Sequence, residues 1–334
     1  MKRSVLLLLL CSLFWTCGDD ATNTTTSTET ADPVFADLNQ KISNDPNDAT
    51  LYAARAAMFT EREGYDEAIA DYQRAIRLDS TQVDYFHQLA NVQMDYFRSY
   101  DALQTMTRAS AAFPRRVPTL LKLAETQLIL KQYEDALYSL ERVRVVDPQN
   151  AEMFFMFGET FREMDRPDEA LQAYQSAVDN DPQLVDGWLR LGALLAERGN
   201  PLAVRYYDNA LRAQPENPTA YLAKANYLAD QERLDEALAV YRDMIRIAPQ
   251  QMDGYYNSGL LQLDMDSTEQ AYRNFDMAIK VDPAFANAYY YRGLTAEFLG
   301  NYSAAKEDYE TAVHLQPEYE RAAQALRRVE ELLQ

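Results

Sequence analysis

Large and small apolar positions recur along this chain with a period close to 34 residues. Early in each period a large residue (Tyr52, Phe86, Leu120, Phe154, Trp188, Tyr221, Tyr255, Tyr289) precedes a small one by four positions (Ala56, Ala90, Ala124, Gly158, Gly192, Ala225, Gly259, Gly293). Later in the period the order reverses. Ala68, Ala102, Ala136, Ala170, Ala203, Ala237, Ala271 and Ala305 come first, and Tyr72, Met106, Leu140, Tyr174, Tyr207, Tyr241, Phe275 and Tyr309 follow four positions on. An offset of four places both residues on one stripe of a helix. Each period therefore predicts two helices that approach closely through their small residues, with large residues one turn away filling the space between pairs.

Punctuation agrees with that pattern. Pro46, Pro114, Pro148, Pro182, Pro215, Pro249, Pro283 and Pro317 recur, with Ser80 in the one missing slot. The spacing is 34 residues at every step but one, where it is 33. Proline stops helices, so these are boundaries at a fixed period. The short step falls in the fifth unit, near Gly199-Asn200-Pro201, and predicts a tightened turn between its two helices.

This pattern resembles the tetratricopeptide repeat in every unit. Trp188, Leu191-Gly192, Ala203, Tyr207, Ala210 and Pro215 show it most fully. The resemblance covers residues 49–317 and implies an all-α, right-handed solenoid of about eight helical hairpins. The expected repeats are 49–82, 83–116, 117–150, 151–184, 185–217, 218–251, 252–285 and 286–319. Residues 33–48 read as a lone helix of a partial repeat, with Val34 and Leu38 on its apolar face. Residues 320–334 read as a capping helix, polar on its outer side at Arg327, Arg328, Glu330 and Glu331.

In such repeats the first helix of each pair lines a groove that receives peptides or helices. The resemblance places Ala53, His87, Leu121, Phe155, Leu189, Leu222, Tyr256 and Tyr290 on the groove floor. All but His87 are apolar or aromatic. Eight residues further on come Glu61, Asp95, Ile129, Glu163, Glu197, Asp230, Asp264 and Phe298, six of them acidic. The expected partner is thus a protein segment with apolar anchors and some positive charge. Two clusters stand out: Leu121, Leu128, Ile129, Phe155 and Met156, and Tyr256, Leu260, Leu263, Tyr290, Leu294 and Phe298. Repeats that clamp acidic chaperone tails carry lysines along the groove. Asn91 and Asn226 match that pattern, but His87 and Leu222 stand where a lysine belongs.

Composition narrows the partners. Lys and Arg total 32 against 52 Asp and Glu, a formal net charge of −20. Phosphate backbones are repelled by such a chain, so no nucleic acid is expected. No catalytic apparatus is legible. Neither cysteine lies in the repeats, the two histidines (His87 and His314) are far apart, and there is no phosphate-loop or dinucleotide motif. The recurring Asp-Glu-Ala steps at 66–68, 168–170 and 235–237 open second helices, where acids complement the helix dipole. No cofactor or metal is expected.

The start of the chain reads as an address. Lys2 and Arg3 precede an apolar run at 5–10 and Leu13-Phe14-Trp15, the form of a secretory signal peptide over residues 1–16. Cys17 directly afterwards resembles the lipidated cysteine of bacterial lipoproteins, although Phe14, Trp15 and Thr16 are bulkier than usual there. Ordinary cleavage with an incidental cysteine is the alternative. Residues 17–32, rich in threonine, read as a flexible tether. Together these features predict a scaffold lipid-anchored in a bacterial envelope, at the outer membrane on its periplasmic or outer face. A self-associating structural protein and a non-catalytic subunit of an envelope enzyme are the alternatives.

Overall fold

The computed structural model describes residues 33–334. The expected signal peptide, Cys17 and the tether lie outside the described residues, as does the side chain of Val34. Among the described residues there are eighteen α-helices and no strand. A lone helix, α1 (Pro33–Asn44), comes first. Eight pairs follow: α2 (Ala49–Glu61) with α3 (Tyr65–Leu78), α4 (Val83–Asp95) with α5 (Ser99–Ala112), α6 (Val117–Ile129) with α7 (Tyr133–Val146), and α8 (Ala151–Glu163) with α9 (Pro167–Asn180). Next come α10 (Val185–Glu197) with α11 (Ala203–Ala213), α12 (Pro218–Asp230) with α13 (Leu234–Ile247), α14 (Met252–Asp264) with α15 (Thr268–Val281), and α16 (Ala286–Phe298) with α17 (Tyr302–Leu315). A single helix, α18 (Glu320–Leu332), closes the series. No described helix is long and apolar enough to cross a membrane.

The chain divides into two compact units between Thr105 and Met106, inside α5. In the first unit α1 packs on α2, α2 on α3 and α3 on α4. In the second, each helix from α6 to α18 packs on the next, and α6 also meets α8, α10 meets α12, α12 meets α14 and α14 meets α16.

Local chemistry sets the boundaries. Asp48, Asn150 and Asn217 cap first helices by accepting from the backbone N–H of Thr50, Met153 and Ala220. First helices end on one residue in the left-handed region, as at Glu63 and Asp165. The following N–H then reaches back five residues, Gly64 to the Phe59 carbonyl at 2.9 Å and Arg166 to that of Phe161 at 2.9 Å. Second helices end at an extended residue before proline, such as Asp181. The early aromatic then ties the turn to its own helix. Trp188 Nε1 donates to the Pro182 carbonyl at 2.9 Å, and the Tyr52 and Tyr289 hydroxyls donate to the Pro46 and Pro283 carbonyls at 3.3 Å.

The alanine positions fill the expected role: Ala68, Ala102, Ala136, Ala170, Ala203, Ala237, Ala271 and Ala305 are all fully buried. The large residues four positions later are buried as well. The short step of the fifth repeat is absorbed somewhat differently from the tightened turn its sequence predicts. The turn itself is ordinary, with Gly199 left-handed and the Asn200 N–H reaching the Leu195 carbonyl at 2.9 Å. Ala203 N–H then bonds to the Asn200 carbonyl at 3.0 Å, three residues back where other repeats use four. The deletion thus shortens the start of α11, which has 11 residues where the other second helices have 14.

At Gly158 the approach is closest. A Cβ there would lie 2.4 Å from the Tyr174 ring. Alanine favours a helix, but here it displaces Tyr174, whose hydroxyl donates to Glu159. Overpacking costs more than the propensity gain, so Gly158→Ala is expected to lower stability by about 1–2 kcal/mol, read as a lower urea midpoint. Gly199→Ala is the control, since nothing lies within 4 Å of its added methyl and only the backbone term acts.

Candidate binding groove

The two apolar clusters expected on the groove floor behave differently. In the first, Leu121 (6% exposed) and Met156 (9%) are buried in a core cluster with Leu120, Leu140, Val143, Met153 and Phe157. They are core residues and offer a ligand little surface, which corrects their assignment as contacts. Both pack among side chains of α6, α7 and α8, helices that meet here. Phe155 is half-buried against Tyr174, with ring centroids 5.6 Å apart. Leu128 is half-buried, and Ile129 is exposed. Beside this cluster, another face of α8 lines a pocket of about 250 Å³ with Phe154, Phe157 and Phe161. The Arg144 guanidinium lies 4.7 Å from the Phe157 ring and is part of that lining.

The second cluster keeps its aromatic surface. Tyr256, Leu260, Leu263, Tyr290 and Leu294 are half-buried, and Phe298 is exposed. Tyr256 packs edge-on against Phe285 at 5.0 Å and Tyr291 at 5.9 Å. Tyr290 packs on Tyr291 at 5.0 Å and on Tyr319 at 5.2 Å. Rings too bulky to be covered by their neighbours leave an open pocket of about 430 Å³. Its lining is Tyr256 from α14, Asn287 and Tyr291 from α16, and Glu318, Tyr319, Glu320 and Arg321 at the start of α18. Of the expected contacts only Tyr256 lines this pocket; Leu260, Leu263, Tyr290, Leu294 and Phe298 do not.

Asn287, Tyr291, Tyr319 and Arg321 are the residues that sequence reasoning missed. The run Tyr289-Tyr290-Tyr291 was the available signal. Tyr319 is the last residue of the expected eighth repeat, past its proline mark, and lies on no first helix.

The pocket's chemistry is set by burial. Desolvation pushes the Tyr319 phenol up to about 12, with the Tyr291 and Tyr290 phenols adding to it. Burial also raises Tyr256. Both phenols therefore stay protonated donors at physiological pH. Ring faces provide apolar contact, Asn287 offers an amide, and Glu318 and Glu320 make part of the rim negative against the single Arg321. The six acidic residues expected beside the floor, Glu61, Asp95, Glu163, Glu197, Asp230 and Asp264, are all exposed.

Two ion pairs hold the cap that completes the pocket, Lys306 of α17 with Glu330 of α18 at 3.2 Å and the more buried pair of Glu297 with Arg328. Glu297 accepts from Arg328 of α18 at 2.8 and 3.0 Å and from the Tyr309 hydroxyl at 2.9 Å. The Arg328 bond in particular holds its carboxyl below the ordinary 4.5, against the opposing effect of burial. A depressed carboxyl contributes stability that is complete above its unfolded value and is lost as pH falls through the folded one. Lowering the pH below about 4.5 should therefore loosen α18 before the rest of the second unit. Hydrogen-exchange protection factors across α18 check this, and Glu297→Gln should flatten their pH dependence.

The fold and this surface define an α-helical repeat protein with an open pocket between two of its first helices and the start of α18. Family profiles described as tetratricopeptide repeat match residues 121–185, 155–201, 193–251 and 286–319, and one described as TPR repeat matches 56–95. Together they span more than half of the chain, which belongs to the tetratricopeptide-repeat family. Among solved structures, the chain is similar to the C-terminal part of a TPR repeat-containing protein from Cytophaga hutchinsonii. That match has 18% identity and a TM-score of 0.60, covering 73% of this chain and 99% of that one. It is also similar to YrrB, a TPR protein with an unusual peptide-binding site, at 20% identity and a TM-score of 0.47, covering 56% of this chain and 97% of that one. No curated protein matches in sequence.

Proposed function

We propose that this protein is a non-catalytic scaffold that captures a segment of a partner protein on the face of α14, α16 and the start of α18. A lipid on Cys17 holds it to a bacterial envelope membrane. The observation that carries this reading is the pocket lined by Tyr256, Tyr291 and Tyr319. A hydrophobic or aromatic side chain of the partner seats among the rings, and a neighbouring basic residue faces Glu318 and Glu320. Membership of the repeat family supports an interaction role. The anchor rests on the sequence around Cys17 alone.

Photo-crosslinking in living cells tests the reading. A photoreactive residue at Asn287, in the pocket, is compared with one at Val145, which is 83% exposed and lies on second helix α7. The expected result is one or two specific protein adducts at 287 only, lost with Tyr319→Ala. Identical adducts at both positions would sink the pocket assignment. Membrane fractionation of wild type and Cys17→Ala tests the anchor separately.

A further inference from the structure

Eight first-helix turns carry a residue in the left-handed region: Glu63, Phe97, Lys131, Asp165, Gly199, Glu232, Asp266 and Gly300. Seven are polar, charged or glycine, which is what an exposed left-handed turn favours. The eighth is Phe97, at φ 58° and 94% exposed. Such a side chain suits neither this backbone nor water. Tyr100, one turn on, is 69% exposed, and Tyr96 is 36% exposed. The turn is also braced. Tyr96 stacks on Tyr65 at 5.3 Å, its hydroxyl lies 3.2 Å from Asp66, and Arg98 pairs with Asp66 at 2.8 Å.

The same edge of the first unit is where the chain enters α1. Phe35, in the first turn of α1, packs on Phe59 at 4.8 Å, and its ring lies 4.7 Å from the guanidinium of Arg62 in the turn before α3. That turn leads directly into Tyr65 and Asp66, the residues that hold Tyr96 and Arg98. The start of α1, the turn at 62–64 and the turn at 96–98 are thus successive neighbours along one edge. Fifteen residues separate Cys17 from α1, and fifteen residues can span at most about 50 Å.

We propose that this edge rests on the bilayer that anchors the N-terminus, with the Phe97 side chain entering the lipid interface and Tyr100 beside it at headgroup level. The proposal rests on the lipid-anchor reading of Cys17. An apolar side chain seated at the interface adds to whatever attachment the lipid provides. Aromatic rings suit the interface. The charges nearby, Glu61, Glu63, Asp66, Asp95 and Asp101 against Arg62 and Arg98, are mainly acidic and exposed, so the edge prefers neutral headgroups to anionic ones.

The test uses full-length protein purified from membranes and reconstituted in phosphatidylcholine vesicles. In Phe97→Trp, the introduced indole should be quenched by dibrominated lipid, beyond the background read from the parent protein. Phe97→Asn, which suits the turn and should fold at least as stably, is expected to raise the rate of transfer between vesicles about tenfold. Adding phosphatidylglycerol should weaken the quenching. If the protein floats with vesicles but the indole is not quenched and Phe97→Asn transfers at the wild-type rate, the proposal is wrong while the anchor stands. If wild type and Cys17→Ala alike fail to float, the anchor fails and takes the proposal with it. Shielding of the indole by a second copy or another protein in the absence of lipid would also overturn it.

Discussion

Arg292→Met is expected to destabilise the last hairpin by about 3–5 kcal/mol at neutral pH. Arg292 lies on α16 and holds two neighbours. Its Nε and Nη2 donate to Asp308 of α17 at 2.9 and 2.6 Å, and its Nη1 donates to Asp276 of α15 at 2.6 Å. Asp308 is 4% exposed, so removing the guanidinium strands a buried carboxylate. Asp276 is better placed, since it also pairs with Lys280 at 2.7 Å. Repeat stability is carried by neighbour interfaces, so the loss should appear first in α16–α18, as faster hydrogen exchange there than in α6–α9.

The pH dependence gives that expectation a sign. Burial already raises the Asp308 carboxyl above its ordinary value, with the Arg292 bonds opposing it. Without Arg292 only the upward push remains. A carboxyl raised by folding adds stability below its unfolded value and loses it as pH rises through the folded one. The variant's deficit should therefore shrink on acidification from pH 7.5 toward 5, as Asp308 takes up a proton. Arg292→Met with Asp308→Leu should recover most of the loss at pH 7.5, because an apolar pair of similar volume leaves no buried charge. Urea melts of the two single variants and the double variant measure this directly. A deficit that stays constant with pH would mean the lost packing of Arg292 on Tyr272 and Tyr289, rather than the stranded carboxylate, sets the cost.

This pair also shows how far the sequence could be read. Boundaries and core were legible because they repeat: the prolines mark period, and the alanines before each mark all turn out to be buried. Arg292 occupies the slot held elsewhere by Leu89, Leu123, Phe157 and Leu191. Arg55 and Lys224 occupy it too, and pair with Asp71 at 2.6 Å and Asp208 at 2.7 Å. The signal was a cation in an apolar column together with an acid sixteen residues away, in either direction. A search for apolar stripes passes over it. The groove was legible in part for a related reason. Position along the repeat identifies the face, but whether a floor residue stays open depends on how the neighbouring helices pack over it. Leu121 and Met156 are covered, whereas Tyr256 and Tyr290 are only half-buried. The far wall of the pocket comes from Tyr319, 63 residues after Tyr256, and no local pattern joins those two.

Replacing Tyr319 with alanine should weaken binding of the captured segment about thirtyfold, the equivalent of an aromatic anchor worth roughly 2 kcal/mol. Tyr319 precedes α18 and is half-buried, with its ring on Tyr290, so truncation opens the pocket without emptying the core between hairpins. Tyr256 is a harsher site, because its ring also supports Phe275 and Phe285; Tyr256→Leu preserves bulk there and tests the ring alone. The two changes share a pocket, so their effects should fall short of additive. Glu318→Lys with Glu320→Lys acts differently. It reverses the charge of the rim, and it should lower the association rate and the salt sensitivity more than it changes dissociation. Calorimetry and stopped-flow fluorescence on a synthetic peptide of the crosslinked segment separate these contributions. Affinity should also stay level from about pH 6 to 9, since burial keeps the Tyr256 and Tyr319 phenols protonated throughout that range. An affinity indifferent to Tyr319→Ala, Tyr256→Leu and the rim reversal alike would move the binding face away from α14, α16 and α18.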